Sequence, residues 1–152
     1  MIGWSESDLA VQEAVRGFID KEIRPHLDGL ETGELPPYDV IRSLWSAFGI
    51  DAMATDAIGK ALGSQRAEPT THTRSSGLGG AESMAAVLIS ELAGVSLGLV
   101  ASIGVSLGLT AATIWRKGSQ DQKGRWLPKL ATFEHVGAWA ITEPDAGSDA
   151  FG

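Results

Sequence analysis

The chain has 152 residues, 43% of them hydrophobic and 20% charged, with no cysteine; that suffices for one buried core and excludes disulfide scaffolds and Cys-ligated metal sites. Twelve basic against nineteen acidic residues leave a net charge of −7, which argues against non-specific binding to nucleic acid or to an anionic membrane surface. The opening "MIGWSESDLA" lacks the basic start and apolar run of a secretory signal, so a cytoplasmic location is expected.

A first helix is announced by Ser5 with Asp8 three residues on, a capping-box arrangement, and is carried by Val11, Val15, Phe18 and Ile19 until Pro25 closes it. A second begins at Pro36 and Pro37 and places Val40, Ile41, Leu44, Trp45 and Phe48 on one stripe as far as Gly49. Between Ile50 and Gly80 the periodicity fades into "SQRAEPTTHTRSSGLGG", which reads as a loop. Helix returns from Ala81 to about Lys117, broken near Gly94 to Gly98, where glycine and serine lower helix propensity.

Leu92 to Trp115 carries no formal charge, long enough to cross a bilayer, and the Gly94/Gly98 and Gly104/Gly108 pairs have the spacing of membrane helix contacts. Ser96, Ser102, Ser106, Thr110 and Thr113 dilute the run, and buried soluble helices are the preferred reading, with no membrane partner. A short helix follows, capped by Ser119 and Gln122, presenting Trp126, Leu127 and Leu130 to the core before Pro128 disturbs it. Trp45, Trp115 and Trp126 all read as core residues. His26, His72 and His135 have no ligand-like spacing, so no metal is expected. Arg116, Lys117, Lys123, Arg125 and Lys129 read as a solvated helix face.

From His135 to Thr142, "HVGAWAIT" is apolar on both faces and reads as a buried strand with nothing in this sequence to pair it, which implies a missing remainder or an obligatory partner. Its end, "WAITEPDAGSD", is the stretch whose composition looks selected for a ligand. Thr142 would offer a hydroxyl to a flat heterocycle, Pro144 and Gly147 shape a turn, and the N–H groups around Gly147 and Ser148 make either a nest for phosphate or, more commonly, a capped surface turn.

That segment closely resembles the TEPxAGSD signature of the acyl-CoA dehydrogenase family, and the likeness runs back through "KGSQDQKGRWLPKLATFEHVGAWA", where a Gly-Ser-x-x-Gln-Lys helix leads through Trp-Leu-Pro into the signature. It is closest over residues 117–149, looser over 81–116 and the first two helices, and absent across the loop. The resemblance implies a mainly α fold: an N-terminal helical domain over 1–135 and the start of a middle β domain over 136–152. It also implies an FAD-dependent oxidoreductase that dehydrogenates acyl-CoA thioesters between the α and β carbons, a carboxylate removing a proton while the flavin accepts hydride. Trp139, Ala140, Ile141 and Thr142 match the strand against the isoalloxazine, Gly147 and Ser148 the turn near the FAD pyrophosphate, and Ser148 also the acyl-CoA contact. The implied partners are acyl-CoA, the remaining domains or another flavoprotein subunit, and further copies in an oligomer. Glu143, Pro144 and Asp149 hold the loop's shape.

Three departures accompany the likeness. The family's catalytic glutamate lies further along than residue 152, so no residue here is assigned as the base. The family's Pro-Glu-x-x-Gly-Gly pattern is missing after the second helix, and Phe133 stands at a turn position where the family has glycine, which predicts an altered connection. The chain alone is therefore expected to bind flavin weakly and catalyse nothing. The alternative is a non-catalytic subunit or partner-completing fragment of a flavoprotein of this fold, oxidases and monooxygenases included.

Overall fold

The computed structural model describes residues 4–64 and 80–149, and these residues hold eight α-helices, two π-helical stretches and one 3-10 turn. Helix α1 spans Glu6–Phe18. Its capping box forms as expected: Asp8 N–H donates to Ser5 Oγ at 3.2 Å and Ser5 N–H to Asp8 Oδ2 at 2.9 Å. Pro25 does not close the helical path. The backbone widens into a π turn at Ile19–Ile23, tightens into a 3-10 turn at Arg24–His26, and continues as α2, Leu27–Thr32. Proline lacks an N–H and its ring crowds the carbonyl one turn earlier; the altered turns absorb both effects. The path stops instead at Gly33, whose φ of 78° is left-handed backbone that suits glycine.

Helix α3, Tyr38–Ala47, buries Ile41, Leu44 and Trp45 along the expected stripe. The residues after Gly49 differ from expectation: Ile50–Ser64 form α4, packed against α8. Its inward positions, including Ala54, Ile58, Ala61 and Leu62, keep helical spacing, but they are only half-buried and two are alanines, so the apolar stripe is faint. The rest of the expected loop, 65–79 with His72, lies outside the described residues.

Helix α5, Gly80–Ala93, is followed by the expected break, after which Ser96 caps α6, Leu97–Ile103. Ser96 is buried, accepts Leu99 N–H at 3.3 Å and donates to Glu31 Oε1 at 2.5 Å, which ties the break to α2. The helical path then loosens into a π-helix, Gly104–Ala111, and ends as α7, Ala112–Lys117. Leu97–Lys117 is one continuous helical path, long and apolar enough by length and composition to cross a membrane. Leu99, Ile103 and Ser106 are nevertheless buried in the protein, while a side chain at Gly104 or Gly108 would meet nothing within 4 Å, so those glycines do not serve helix packing among the described residues.

Helix α8, Gln120–Ala131, has the expected capping box, with Gln122 N–H donating to Ser119 Oγ at 3.2 Å and Ser119 N–H to Gln122 Oε1 at 2.8 Å. It runs through Pro128 without interruption, and Gly124, whose carbonyl the proline ring faces, brings no side chain of its own.

The core gathers Val15, Ile19 and Ile23 from the first helical path, Ile41, Leu44 and Trp45 from α3, Leu88 and Leu92 from α5, Leu99 and Ile103 from α6, and Phe133 beyond α8. Of the three tryptophans expected there, only Trp45 is buried; Trp115 and Trp126 are half-exposed under Lys123 and Arg125, at 5.6 and 4.7 Å from their rings. Part of the expected solvated face is thus spent covering indoles. Helices α1 and α5 are latched by Glu91, which receives Arg16 Nε at 2.7 Å, Arg16 Nη2 at 2.9 Å and Gln12 Nε2 at 2.6 Å.

The strand expected over His135–Thr142 does not form. Among the described residues no strand is present, and 136 and 138–142 are exposed rather than buried. A strand needs a neighbour to take its N–H and C=O groups, and none of the described segments supplies a ladder. The fold is thus the all-helical domain the sequence predicts, with an irregular C-terminal segment laid on its surface.

Candidate functional site

The C-terminal segment starts from an unusual turn. Phe133 has φ 57°, is fully buried, and contacts Trp45 edge-on with ring centroids 5.2 Å apart. Two side chains of α3 hold this turn: Arg42 Nη1 donates to Phe133 O and Trp45 Nε1 to Ala131 O, each at 3.0 Å. The predicted altered connection is a residue in glycine's backbone conformation that fills the core with its ring. Helix α8 closes with Phe133 N–H on Leu130 O at 3.2 Å and His135 N–H on Lys129 O at 3.0 Å.

Beyond this turn the segment lies along the π-helix. Gly137 N–H donates to Ser106 Oγ at 3.0 Å, and Thr110 Oγ1 donates to Ala138 O at 3.1 Å. The approach is so close that a Cβ at Gly137 would sit 2.6 Å from Thr110 Cβ, so only glycine fits without displacement. Val136, Gly137, Ala138 and Trp139 then face Tyr38, Ala101, Ser102 and Val105 across a groove of about 310 Å³.

All six residues that the sequence singles out for cofactor contact, Trp139, Ala140, Ile141, Thr142, Gly147 and Ser148, are exposed. Trp139 and Ile141, two positions apart, are 43% and 51% accessible and together form a large apolar surface. The hydroxyls of Thr142 and Ser148 have no hydrogen-bond partner among the described residues. Between them a turn forms as expected around Pro144, with Glu143 N–H on Ala146 O at 2.9 Å and Ala146 N–H on Glu143 O at 3.3 Å. It brings Gly147 beside Thr142, within 3.9 Å of the threonine methyl for an added Cβ. The residues fit a flavin in kind, with an apolar surface for the ring, a hydroxyl at its edge, and a turn whose N–H groups at 147 and 148 have no hydrogen-bond partner among the described residues.

A second cavity, about 410 Å³ between α3, α4, α5 and the long helical path, is lined by apolar residues including Trp45, Met53, Leu88 and Ile103, and offers nothing to orient a polar ligand. Among the described residues no three His, Asp or Glu side chains come together as a metal site.

A family profile, the acyl-CoA dehydrogenase N-terminal domain, matches residues 5–134. The chain belongs to the acyl-CoA dehydrogenase family. It is 30% identical over 146 residues to mitochondrial isovaleryl-CoA dehydrogenase of Solanum tuberosum, covering 96% of this chain and 32% of that protein. It is 27% identical over 148 residues to an acyl-CoA dehydrogenase of Bacillus subtilis (strain 168), covering 96% of this chain and 34% of that protein. The chain therefore spans about a third of the length of the curated relatives it matches. No solved structure matches it.

The residues that hold the site within this domain of the acyl-CoA dehydrogenase family were not singled out by their sequence positions as functional. Ser102, Ser106 and Thr110 recur at intervals of four through an otherwise apolar run, and that hydroxyl row is the signal that marks one face of the helix as polar. Ser106, fully buried, and Thr110 face the C-terminal segment.

Proposed function

We propose that this chain supplies the N-terminal helical domain, and from residue 136 the start of the middle β domain, of an FAD-dependent acyl-CoA dehydrogenase. The observation that carries this reading is the exposed Trp139–Thr142 segment, an apolar surface ending in a hydroxyl with no partner among the described residues, held on the helical domain by Ser106 and Thr110. Trp139, Ala140 and Ile141 would lie against the isoalloxazine, Thr142 would bond its edge, and Gly147 and Ser148 would serve the pyrophosphate, Ser148 also touching acyl-CoA. When bound, FAD supplies the hydride acceptor for oxidation of the thioester's α,β bond. The chain's own residues bind and orient; none is assigned as catalytic. The remaining domains, or another flavoprotein subunit, complete the site within an oligomer in a cytoplasmic setting, and the Leu97–Lys117 path is the domain's central helix rather than a bilayer span.

The test uses the protein purified with whatever polypeptide accompanies this chain. Native mass spectrometry should weigh chain, partner and FAD together, and anaerobic addition of acyl-CoA should bleach the flavin absorbance. Flavin that no chain length bleaches refutes dehydrogenation. Association with a flavoprotein whose flavin is indifferent to substitutions at Thr142 and Ser148 supports the non-catalytic subunit instead.

A further inference from the structure

We propose that Ser106 and Thr110 are positioning residues for the flavin-facing segment; the inference rests on the reading that Trp139–Thr142 take the isoalloxazine. In helices a serine or threonine hydroxyl ordinarily returns to a carbonyl one turn back, as Ser102 does in donating to Gly98 O at 2.9 Å. Ser106 and Thr110 do otherwise. They sit in the π-helical stretch, where the turn is widened, and both hydroxyls are spent on the neighbouring segment, one as acceptor and one as donor.

The two bonds engage consecutive residues, Gly137 through its N–H and Ala138 through its C=O. One backbone donor and one backbone acceptor of the segment are thereby satisfied by two side chains of a helix. Position is fixed in depth as well, because Gly137 rests on the Thr110 side chain with no room for a Cβ. Trp139 follows immediately and walls the groove with Tyr38 and Ser102. The pair thus sets the height and register from which Trp139, Ile141 and Thr142 project, and so the placement of ring contact and hydroxyl relative to the helical domain. A hydroxyl at 106 that is fully buried has this one role among the described contacts.

Ser106→Ala removes the acceptor, Thr110→Val keeps the Thr110 shape but removes the donor, and Thr110→Ser is the conservative control. In the protein as purified, hydrogen exchange at residues 137–142 should rise about tenfold in Ser106→Ala and Thr110→Val, with core amides in α3 and α5 unchanged. The FAD complex should show altered flavin absorption and circular dichroism and about tenfold weaker affinity, a loss matching one buried hydrogen bond. Thr110→Ser should restore both readouts. Unchanged exchange at 137–142, or raised exchange with an unaltered flavin spectrum and affinity, overturns the positioning role while leaving the flavin reading intact. Wild-type protein that takes up no FAD overturns the flavin reading, and this role with it.

Discussion

Phe133 meets Trp45 edge-to-face at 5.2 Å while holding a backbone φ of 57°, so one residue combines left-handed strain with full burial of its ring. Left-handed backbone costs a non-glycine residue about 1–2 kcal/mol, whereas truncating a buried phenylalanine costs about 3–5 kcal/mol, so packing outweighs strain. Phe133→Ala should lose about 3–5 kcal/mol in urea denaturation. Phe133→Gly should be the less damaging change, by roughly 0.5–1 kcal/mol, because relief of the left-handed strain exceeds glycine's added unfolded-state entropy. Equal or reversed losses would place the strain elsewhere.

Trp45 also ties α3 to the end of α8 through Nε1 on Ala131 O at 3.0 Å. Trp45→Phe keeps an aromatic ring there and leaves that carbonyl without its donor, which should cost about 1–3 kcal/mol. Chemical denaturation against wild type measures it, and a loss near zero would mean that water replaces the indole.

Glu91 carries the pH dependence of the α1–α5 latch. Its carboxyl is held below the usual carboxylate range, chiefly by the hydrogen bond from Arg16, which outweighs the opposing effect of burial, with smaller help from the Gln12 hydrogen bond and the Arg16 charge. A depressed folded-state value contributes stability above the unfolded value, roughly 4.3 for glutamate, and that contribution disappears as pH falls through the folded value. The melting temperature should therefore fall as pH is lowered from about 5, and Glu91→Gln should have a shallower fall over that window. Asp8, lowered by the Ser5 hydroxyl and backbone N–H, adds to the same limb, so Asp8→Asn should account for part of the residual slope. Identical slopes in wild type and Glu91→Gln would show that the latch is not titrating.

Gly137→Ala drives a methyl into Thr110, with contacts of 2.6–2.8 Å to the Thr110 side chain. The core does not depend on that segment, so the expected outcome is local release: faster proteolytic cleavage after residue 136, with the melting temperature lowered by less than about 3 °C. A large global loss with no change in cleavage would show that the π-helix, rather than the segment, yields.

Much of the helical domain is legible because its signals are local. Ser5/Asp8 and Ser119/Gln122 cap their helices through residues three apart, and Ile41, Leu44 and Trp45 recur with helical spacing against one core. Helix α4 escapes that reading because its inward face is largely small and half-buried, leaving little contrast in hydrophobicity. Pro25 and Pro128 mislead in the opposite direction: each bars one hydrogen bond, but a π turn beside the first and a glycine one turn before the second let the helical path continue. The six exposed residues proposed for cofactor contact are readable as a motif, whereas the hydroxyls that hold the segment down read only as impurities in an apolar run.

Caps, stripes and the TEPDAGSD signature are written in residue order, so the sequence by itself determined the helical class of this domain and the family to which it belongs. Tertiary structure alone decided that Phe133 turns left-handed to reach Trp45, that 136 and 138–142 stay exposed with no strand partner among the described residues, and that Ser106 and Thr110 grip Gly137 and Ala138. Each of those outcomes joins residues 28 or more positions apart or depends on a neighbour's absence, and no local propensity encodes the free energy of such an encounter.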